Sequence, residues 1–479
     1  MERRAKIVAT IGPASESEHM LEQLLRAGMN VARLNFSHGT HEEHAERIAC
    51  LRRLSEQLGL PVGIMQDLQG PKIRVGVLDP TLDLVEGEIV RLHAEGNEDA
   101  KSKEKQIPVA FAELFDSVSK GDHILLDDGH LALEVVETET KDLRARVLTG
   151  GKLSSHKCIN LPGVRLNITG FTEKDRADLE FGLSQNVDFV AISFVRSAHD
   201  VKAVHDAMHQ MDELSAHPLV IAKLERPEGL DNLNEILHAA DGVMVARGDL
   251  GVEMPPETVP IAQKRIIEAA NRHGRIVITA TQMLDSMIVN PLPTRAEASD
   301  VANAIFDGTD AVMLSGETAS GAYPLESVQI MDRIVRSAEA NFAEWGHYHI
   351  PDAPTGDDSA SMTRAARELA HDLNVTAVAV FTQTGRTGLL MSKARPRVPI
   401  LAFTPVTRSF GRMSLFWGVI PNLVPMASTL REMVNQADTR LMASGLVEEG
   451  QQVVVISAFP VTTVRPSNMA LLHNVGEKL

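Results

Sequence analysis

Residues 6–39 read "KIVATIGPASESEHMLEQLLRAGMNVARLNFSHG", and this stretch carries the clearest signal of the fold. An apolar run stops at Gly12 and Pro13, apolar residues at helical spacing follow up to Gly28, and a second apolar run begins directly afterwards. Short apolar runs that alternate with amphipathic helices are typical of parallel strands joined by helical crossovers. The stretch therefore predicts a strand–helix–strand unit.

The same alternation continues along the chain in two blocks. Three strand–helix units occupy the first 68 residues, and five further strands are predicted in "VDFVAISFV", "PLVIAKLE", "GVMVARG", "RIVITATQM" and "DAVMLSG". Eight units predict an α/β fold of the (β/α)8, or TIM-barrel, type, in which chemistry lies at the carboxyl ends of the strands. We predict that residues 1–70 and 167–344 form this barrel.

Two segments depart from the barrel pattern. Residues 71–166 contain strand-like runs and turn residues but little helix, which predicts an inserted small β-barrel domain that acts as a lid. Gly70-Pro71 and the segment 161–163, "LPG", are its predicted hinges. Further on, a Pro- and Gly-rich stretch precedes four strands that alternate with helices, so residues 345–479 are predicted to form a C-terminal α/β domain.

Composition limits the classes of partner. The 479 residues include 47 Lys and Arg against 64 Asp and Glu, a formal net charge of −17, which argues against nucleic acid or an anionic membrane as partner. Cys50 and Cys158 are the only cysteines, too few for a disulfide framework or a Cys-rich metal site. No apolar run is long enough to cross a bilayer, and we expect a cytoplasmic protein. An anionic substrate would need a local cationic pocket.

Alternation along two predicted strands places polar side chains on one face. In "ARLNFSH", Arg33, Asn35 and Ser37 share a face, and in "AKLE", Lys223 and Glu225 do. The first set would otherwise be a solvated strand edge, and the second a structural ion pair. At the ends of barrel strands, both sets become candidate site residues.

Two more strand ends add candidates. "ARGDLG" brings Asp249 to the end of the strand after Glu225, and two carboxylates from neighbouring strands suit Mg²⁺, which fills its remaining positions with water and substrate oxygens. Lys223 beside such an ion could stabilise a transferring phosphoryl group. In "TATQML", Thr279 and Thr281 are predicted to share a face, where a hydroxyl could orient substrate or relay a proton, although threonine is also simply common in strands.

The strings "KIVATIGPAS", "RLNFSHG", "QGPKIR", "NLPG", "KLE", "ARGDLGVE", "TATQML" and "LSGETASGAYP" occur in this order. In this respect the whole chain resembles the pyruvate kinase family. The resemblance implies transfer of a phosphoryl group from phosphoenolpyruvate to ADP, which gives pyruvate and ATP, with Mg²⁺ as cofactor and Mn²⁺ able to replace it. It also implies a homotetramer.

The resemblance further implies roles for eight residues that match family positions. They are Lys223 as transition-state stabiliser and phosphate ligand, Glu225 and Asp249 as Mg²⁺ ligands, the backbone of Gly248 at the substrate, Thr281 at the protonation step, Arg33 at the phosphates, and Arg74 and Lys157 at the nucleotide.

The segment "DLQGPKIR", residues 67–74, departs from many family members, which resemble one another in carrying glutamate at the position of Lys72 and in requiring K⁺. We hypothesise that the Lys72 ammonium replaces that ion, so that K⁺ is not required. Alternatively, Lys72 points to solvent and Asp67 still binds K⁺. The resemblance places the monovalent-cation pocket at Asn35, Ser37, Asp67 and the carbonyl of Leu68.

"FTQTGRTG" in the C-terminal domain resembles the effector loop of the family. Hydroxyls and free N–H groups at a helix start can hold a phosphate; the alternative is an ordinary strand-to-helix turn. These residues do not identify the ligand, but the resemblance to short, bacterial members of the family implies AMP or a sugar monophosphate as activator. The candidate residues are Thr382, Thr384, Gly385 and Thr387.

Two other functions are open at this stage. One is a barrel aldolase in which Lys223 forms a Schiff base. The other is a catalytically inactive effector-binding protein, which predicts the loss of site residues.

Overall fold

The computed structural model describes residues 3–98, 102–164, 170–212, 217–348, 356–372 and 374–478. The chain begins with alternating strands and helices whose ends follow from local sequence. The Ser17 side chain accepts a hydrogen bond from the backbone N–H of Met20 at the first helix, and Thr40 and Glu43 form a capping box at the second. These elements are β1 (Lys6–Ile11), α1 (Glu18–Arg26), β2 (Val31–Asn35), α2 (His41–Leu58) and β3 (Gly63–Asp67).

The insertion after β3 is built from strands and one short helix. Burial alternates along most of its strands, because one face packs on the core of the insertion and the other faces outward. Its elements are β4 (Leu82–Leu84), β5 (Ile89–Ala94), β6 (Lys105–Val109), α3 (Glu113–Ser117), β7 (His123–Leu126), β8 (Leu131–Glu139), β9 (Asp142–Thr149), β10 (Gly151–Leu153) and β11 (Ile159–Asn160).

The strands of the insertion form a six-stranded sheet of order β11-β7-β8-β9-β5-β6 and a two-stranded sheet, β10-β4. Arg74 and Val75 link the two edges of the larger sheet, since Arg74 makes a bridge to Cys158 and Val75 makes one to Val109. The predicted small β domain is therefore present, and single bridges rather than a continuous ladder bring its larger sheet round toward a barrel.

The barrel pattern then resumes, with helices between five more strands. Two 3-10 turns, Pro256–Thr258 and Asp285–Ile288, interrupt it. The elements are α4 (Glu173–Ser184), β12 (Phe189–Ile192), α5 (Ala198–Met211), β13 (Leu219–Leu224), α6 (Pro227–Asp231), α7 (Leu233–Ala239), β14 (Gly242–Ala246), α8 (Arg247–Glu253), α9 (Val259–Arg272), β15 (Ile276–Ala280), α10 (Arg295–Phe306), β16 (Ala311–Leu314), α11 (Gly316–Ala319), α12 (Pro324–Ala340) and α13 (Phe342–Trp345).

Eight parallel strands close into a barrel in the order β1-β16-β15-β14-β13-β12-β3-β2. Their residues are almost all buried, since one face of each strand fills the barrel interior and the other packs on the surrounding helices. The predicted TIM barrel is thus confirmed. None of the helices in the described ranges is long and apolar enough to span a membrane.

The C-terminal segment forms a five-stranded sheet of order β19-β18-β17-β20-β21 with only β21 antiparallel, a strand that the sequence analysis missed. It adjoins the amino-terminal ends of the barrel strands, where Lys393 forms an ion pair with Asp310 just before β16. The elements are α14 (Asp358–Asp372), β17 (Val375–Phe381), α15 (Arg386–Ala394), β18 (Ile400–Thr404), α16 (Thr407–Met413), β19 (Val419–Leu423), α17 (Leu430–Ala443), β20 (Gln452–Ser457) and β21 (Met469–Asn474).

Candidate active site

Asp67, the last residue of β3, lies at the centre of a buried charge network at the carboxyl end of the barrel. Arg33 places both Nε and Nη2 2.6 Å from Asp67 Oδ2, and Lys223 Nζ lies 3.3 Å from Asp67 Oδ1. Burial alone would raise the pKa of the Asp67 carboxyl, but the two cations outweigh it, so the pKa lies below its ordinary value. Asp67 is therefore an anion that joins β2, β3 and β13.

Lys223 is buried and lies between two carboxylates. Its ammonium is 2.9 Å from Glu225 Oε1 and donates a hydrogen bond of 2.8 Å to Ser193 Oγ. Burial would lower the pKa of Lys223, but Asp67 and Glu225 outweigh this effect and raise it. As the alternation of side chains along the strand predicts, Lys223 and Glu225 lie on one face and contact each other. Because its pKa is raised, Lys223 is held in the charged form.

Glu225 and Asp249 form a carboxylate pair from neighbouring strand ends. Glu225 Oε2 accepts a hydrogen bond of 2.7 Å from the Phe194 backbone N–H. Burial raises the pKa of Glu225; Lys223 opposes this effect, and the negative charge of Asp249 adds to it. A divalent cation bound beside Glu225 and Asp249 would offset this repulsion and favour the ionised form of Glu225.

The donor set fits a metal that is held only partly by protein. In the described ranges, no group of three or more His, Cys, Asp or Glu side chains is placed to hold a metal ion. Mg²⁺ commonly takes one or two protein carboxylates and fills its octahedron with water and substrate oxygens. The pair Glu225 and Asp249 therefore suits Mg²⁺ better than a metal that needs a closed protein site.

Thr281 and Gly248 lie together beyond two neighbouring strands. The Gly248 backbone N–H donates a hydrogen bond of 2.7 Å to Thr281 Oγ1. β15 ends at Ala280, and Thr281 has a left-handed backbone with φ of 66°. The expectation that Thr279 and Thr281 share a strand face does not hold, because Thr279 is fully buried and bonds Thr309 instead.

Arg74 and Lys157, the predicted nucleotide ligands, lie on two segments of the insertion that are joined by backbone hydrogen bonds, and their side chains make contacts within the insertion. Arg74 Nη1 donates a hydrogen bond of 2.9 Å to the His156 carbonyl, and Lys157 Nζ lies 2.7 Å from Asp127 Oδ1. The hydrogen bond to Asp127 raises the pKa of Lys157. In this conformation Asp127 holds the charge of Lys157 within the lid.

Lys72 is half-buried beside the site. In the described part of the chain, its ammonium has neither an ion pair nor a hydrogen bond, and it lines a cavity of 30 Å³ together with Asp249 and Phe194. The pKa of His38 is lowered, first by burial and then by the positive charges of Arg74, Lys72 and Arg33. Lys72 thus contributes to the positive field at the mouth of the barrel.

Two site residues escaped the sequence analysis. Ser193, just after β12, accepts from Lys223 and donates 2.8 Å to the Leu68 carbonyl. Thr10 in β1 accepts a hydrogen bond of 2.9 Å from Arg33 Nη1. Alternation in "VAISFV", which places Ala191 and Ser193 on one face, could have indicated Ser193.

Of the residues predicted on the second strand, Asn35 Oδ1 accepts a hydrogen bond of 3.1 Å from the Ser37 backbone N–H.

Three of the four effector-loop candidates line a cavity of 380 Å³ in the C-terminal domain. Thr382, Thr384 and Thr387 face it together with Arg386 and Arg465. Gly385 has φ of 86°, which favours glycine, and its N–H donates a hydrogen bond of 3.0 Å to Thr382 Oγ1. The loop therefore borders a cavity large enough for a small ligand.

A closed (β/α)8 barrel with a buried lysine, paired carboxylates and an inserted domain that carries Arg74 and Lys157 near its base defines a barrel enzyme suited to phosphoryl transfer. Residues 2–328 match the family model "Pyruvate kinase, barrel domain", and residues 360–473 match "Pyruvate kinase, alpha/beta domain". The chain belongs to the pyruvate kinase family. It accordingly transfers the phosphoryl group of phosphoenolpyruvate to ADP, giving pyruvate and ATP, in a Mg²⁺-dependent reaction.

Individual relatives agree over the full chain. Pyruvate kinase of Geobacillus stearothermophilus is 47% identical over 486 residues, and that of Sporosarcina psychrophila is 44% identical over 487; both alignments cover 100% of this chain and 81% of the relative. The crystal structure of a pyruvate kinase from Cryptosporidium parvum has a TM-score of 0.89 and 33% identity, over 99% of this chain and 96% of that one. The aldolase and inactive-scaffold hypotheses are thereby set aside.

Proposed function

We propose that the reaction takes place between Lys223, Arg33 and the carboxylate pair Glu225 and Asp249. The observation that carries this proposal is the burial of a charged Lys223 between Asp67 and Glu225. A fixed ammonium in a site that excludes water stabilises the charge that spreads over the phosphoryl oxygens in the transition state. Arg33, held by Asp67 and Thr10, is oriented to bind the same oxygens.

Glu225 and Asp249 would hold Mg²⁺, or Mn²⁺ in its place, which supplies positive charge for the phosphoryl and enolate oxygens. The backbone of Gly248 and the Thr281 hydroxyl would contact phosphoenolpyruvate, and Thr281 would take part in delivering a proton to the enolate carbon. The hydrogen bond from Gly248 to Thr281 supports this role, because it fixes the hydroxyl at the end of β14.

Metal binding provides a test that does not depend on turnover. The Glu225→Gln variant keeps the shape of the side chain and the hydrogen bond from Phe194 but removes the charge. We expect at least a tenfold weaker affinity for Mn²⁺, measured by electron paramagnetic resonance of the free ion. Asp206→Asn, at an exposed pair with Lys202, is the control. Equal Mn²⁺ affinity in Glu225→Gln and wild type would remove Glu225 from the metal site.

We also propose that Arg74 and Lys157 bind the nucleotide phosphates and that the insertion closes over them. Their adjacent placement at the base of the lid, beside the Arg74 to Cys158 bridge, supports a shared ligand. Lys157 would then exchange Asp127 for a phosphate. Lys157→Ala is expected to raise the KM for ADP, and small-angle scattering without compaction on substrate binding would contradict lid closure.

We further propose that Lys72 makes K⁺ unnecessary. A half-buried ammonium with no partner in the described chain supports the proposal, and so does its contribution to the field at His38. It would supply the charge that K⁺ supplies at a pocket of Asn35, Ser37, Asp67 and the carbonyl of Leu68. A charge fixed in the chain does not have to be recruited from solution.

For the C-terminal domain, we propose that the cavity beside Thr382, Thr384, Gly385 and Thr387 binds a phosphorylated activator, AMP or a sugar monophosphate. Calorimetric titration with each compound, repeated on Thr382→Val, tests this; affinity unchanged by the substitution would argue against the loop. We also propose that the protein is a homotetramer. The proposed domain boundaries lie at residues 70, 166 and 344, which separate the barrel, the lid and the C-terminal domain. Analytical ultracentrifugation measures the assembly.

A further inference from the structure

Arg226 is a buried cation that the reaction described above does not use. It follows Glu225 directly, stands at the start of α6, and its side chain is only 7% exposed. A buried guanidinium is costly unless its donors are used, so its partners show what it holds in place.

The partners of Arg226 lie in the segment where the chain leaves the lid. Arg226 Nη2 donates a hydrogen bond of 3.0 Å to the Val164 carbonyl and a longer one, 3.5 Å, to the Leu161 carbonyl. A single nitrogen of a barrel side chain therefore contacts backbone carbonyls at both ends of segment 161–164, which includes the predicted hinge residues 161–163. Glu228 Oε2 lies 3.5 Å from Arg226 Nε and adds an ion pair without a hydrogen bond.

A second barrel residue holds the same segment. Glu253, at the end of α8, lies 3.6 Å from Arg226 Nη2 and accepts a hydrogen bond of 3.3 Å from Asn160 Nδ2 in β11. Glu253 and Asp249 both lie in α8, and Arg226 follows Glu225 directly between β13 and α6, so each barrel side chain that holds the lid lies close in sequence to one of the two carboxylates. The cavity of 30 Å³ at this joint is lined both by Pro71, where the chain enters the lid, and by Leu161, where it leaves.

Backbone hydrogen bonds at the base of the lid connect the hinge segment to Arg74 and Lys157. Residues 73–75 and 157–159 are joined by backbone hydrogen bonds, among them Ile159 N–H to the Ile73 carbonyl and Val75 N–H to the Lys157 carbonyl, both 2.9–3.0 Å. Arg74 and Lys157 are therefore carried on one short ladder, and Lys157 precedes Asn160 by three residues. A shift of the hinge segment moves both cations together.

We propose that Arg226, with Glu253, is a positioning residue that sets the orientation of the lid and thereby places Arg74 and Lys157 over the metal carboxylates. Arg226 does not touch the nucleotide; it acts through the backbone of residues 161–164. The inference rests on the nucleotide-binding role proposed for Arg74 and Lys157. Under this proposal, loss of Arg226 weakens the binding of ADP and not that of phosphoenolpyruvate, because the lid contacts only ADP.

The test compares steady-state kinetics of Arg226→Ala, Arg226→Lys and wild type, with each substrate varied in turn. We expect Arg226→Ala to raise the KM for ADP about tenfold, the effect of losing roughly one charge-assisted hydrogen bond, while the KM for phosphoenolpyruvate changes less than twofold. Arg226→Lys, which keeps a charged donor, should recover part of the loss. Arg275→Ala is the matched control, since Arg275 also donates to two carbonyls, those of Leu237 and His238, but far from the lid.

Hydrogen–deuterium exchange of the peptide 157–164 provides the second readout. Arg226→Ala should speed exchange there, and Arg275→Ala should not. A KM for ADP within twofold of wild type, or equal changes in both KM values, would overturn the positioning role. If Lys157→Ala leaves the KM for ADP unchanged, the proposed role of the lid in nucleotide binding is wrong. In that case, unchanged exchange of peptide 157–164 in Arg226→Ala would also show that Arg226 does not hold the hinge segment in place.

Discussion

Replacement of Lys223 by methionine probes the charge network at its centre. Methionine keeps much of the side-chain length but removes the ammonium that lies 2.9 Å from Glu225 and 3.3 Å from Asp67. Asp67 keeps Arg33, whereas Glu225, among the residues that the structure describes, keeps only the hydrogen bond from the Phe194 N–H. The loss is therefore concentrated on Glu225.

Two magnitudes follow from these contacts. Loss of one preorganised charge at the transferring group is expected to lower kcat by about 10²- to 10³-fold. Removal of one partner of a buried ion pair costs about 3–5 kcal/mol in the free energy of unfolding, and the carboxylate left behind can reduce that cost by taking up a proton. Burial already raises the pKa of Glu225, and loss of the opposing Lys223 would raise it further.

The pH dependence of stability follows from that shift. When the folded-state pKa of a carboxyl group exceeds its unfolded value, the folded state binds more protons between the two values, and the free energy of unfolding falls as pH rises through this window. The stability deficit of Lys223→Met relative to wild type should therefore be smaller at pH 5.5 than at pH 8.

Thermal melting of both proteins at the two pH values, together with coupled assays of pyruvate formation, provides the measurement. Lys202→Met is the control, because Lys202 pairs with Asp206 on the surface and exposed pairs contribute about 0–1 kcal/mol. A deficit that is equal at both pH values would refute the assignment of the buried charge to Glu225. A kcat within tenfold of wild type would refute the role of Lys223 at the phosphoryl group.

Two other predictions concern lysines outside the phosphoryl site. Lys72→Glu should lower activity at least tenfold in K⁺-free buffer, and added KCl should restore it, whereas the activity of wild type should change less than twofold on addition of KCl. A K⁺ requirement in wild type would contradict the hypothesis that Lys72 replaces the ion. Burial lowers the pKa of Lys393 to about 8 despite the opposing charge of Asp310; the folded state then binds fewer protons than the unfolded state between pH 8 and about 10. The melting temperature of wild type relative to Lys393→Met should rise with pH across this window, and parallel curves for the two proteins would count against the buried charge.

Alternation of side chains predicted which residues share a face where a strand is regular, and it predicted this wrongly where the strand ends. Lys223 lies within β13 and Glu225 follows directly, so the pattern of their side chains was sufficient to pair them. Thr281 follows β15 with a left-handed backbone, and alternation has no meaning there. In the same way, Ser193 lies just beyond β12, where its contact with Lys223 depends on how the next strand is placed.

Charge partners were harder to predict than site residues. Nothing in the sequence indicated that Arg33 and Lys223 would both hold the carboxylate of Asp67, the residue that the family resemblance assigns to a monovalent-cation pocket. Lys157 was expected at a nucleotide and is held by Asp127. An ion pair depends on distances of a few ångströms, and these partners come from different strands whose relative placement is not encoded in local sequence.

The amino-acid sequence alone determined the repeating strand–helix order, the break at Gly70-Pro71 and the residue types at the strand ends, because apolar periodicity and turn residues act over a few neighbouring positions. Only the tertiary structure decided that Arg226 and Glu253 hold the exit of the lid and that Arg33 and Lys223 share Asp67. Those contacts join residues 34 to 156 positions apart, and they form only when the hydrogen bonds of the closed barrel bring distant strand ends to one rim.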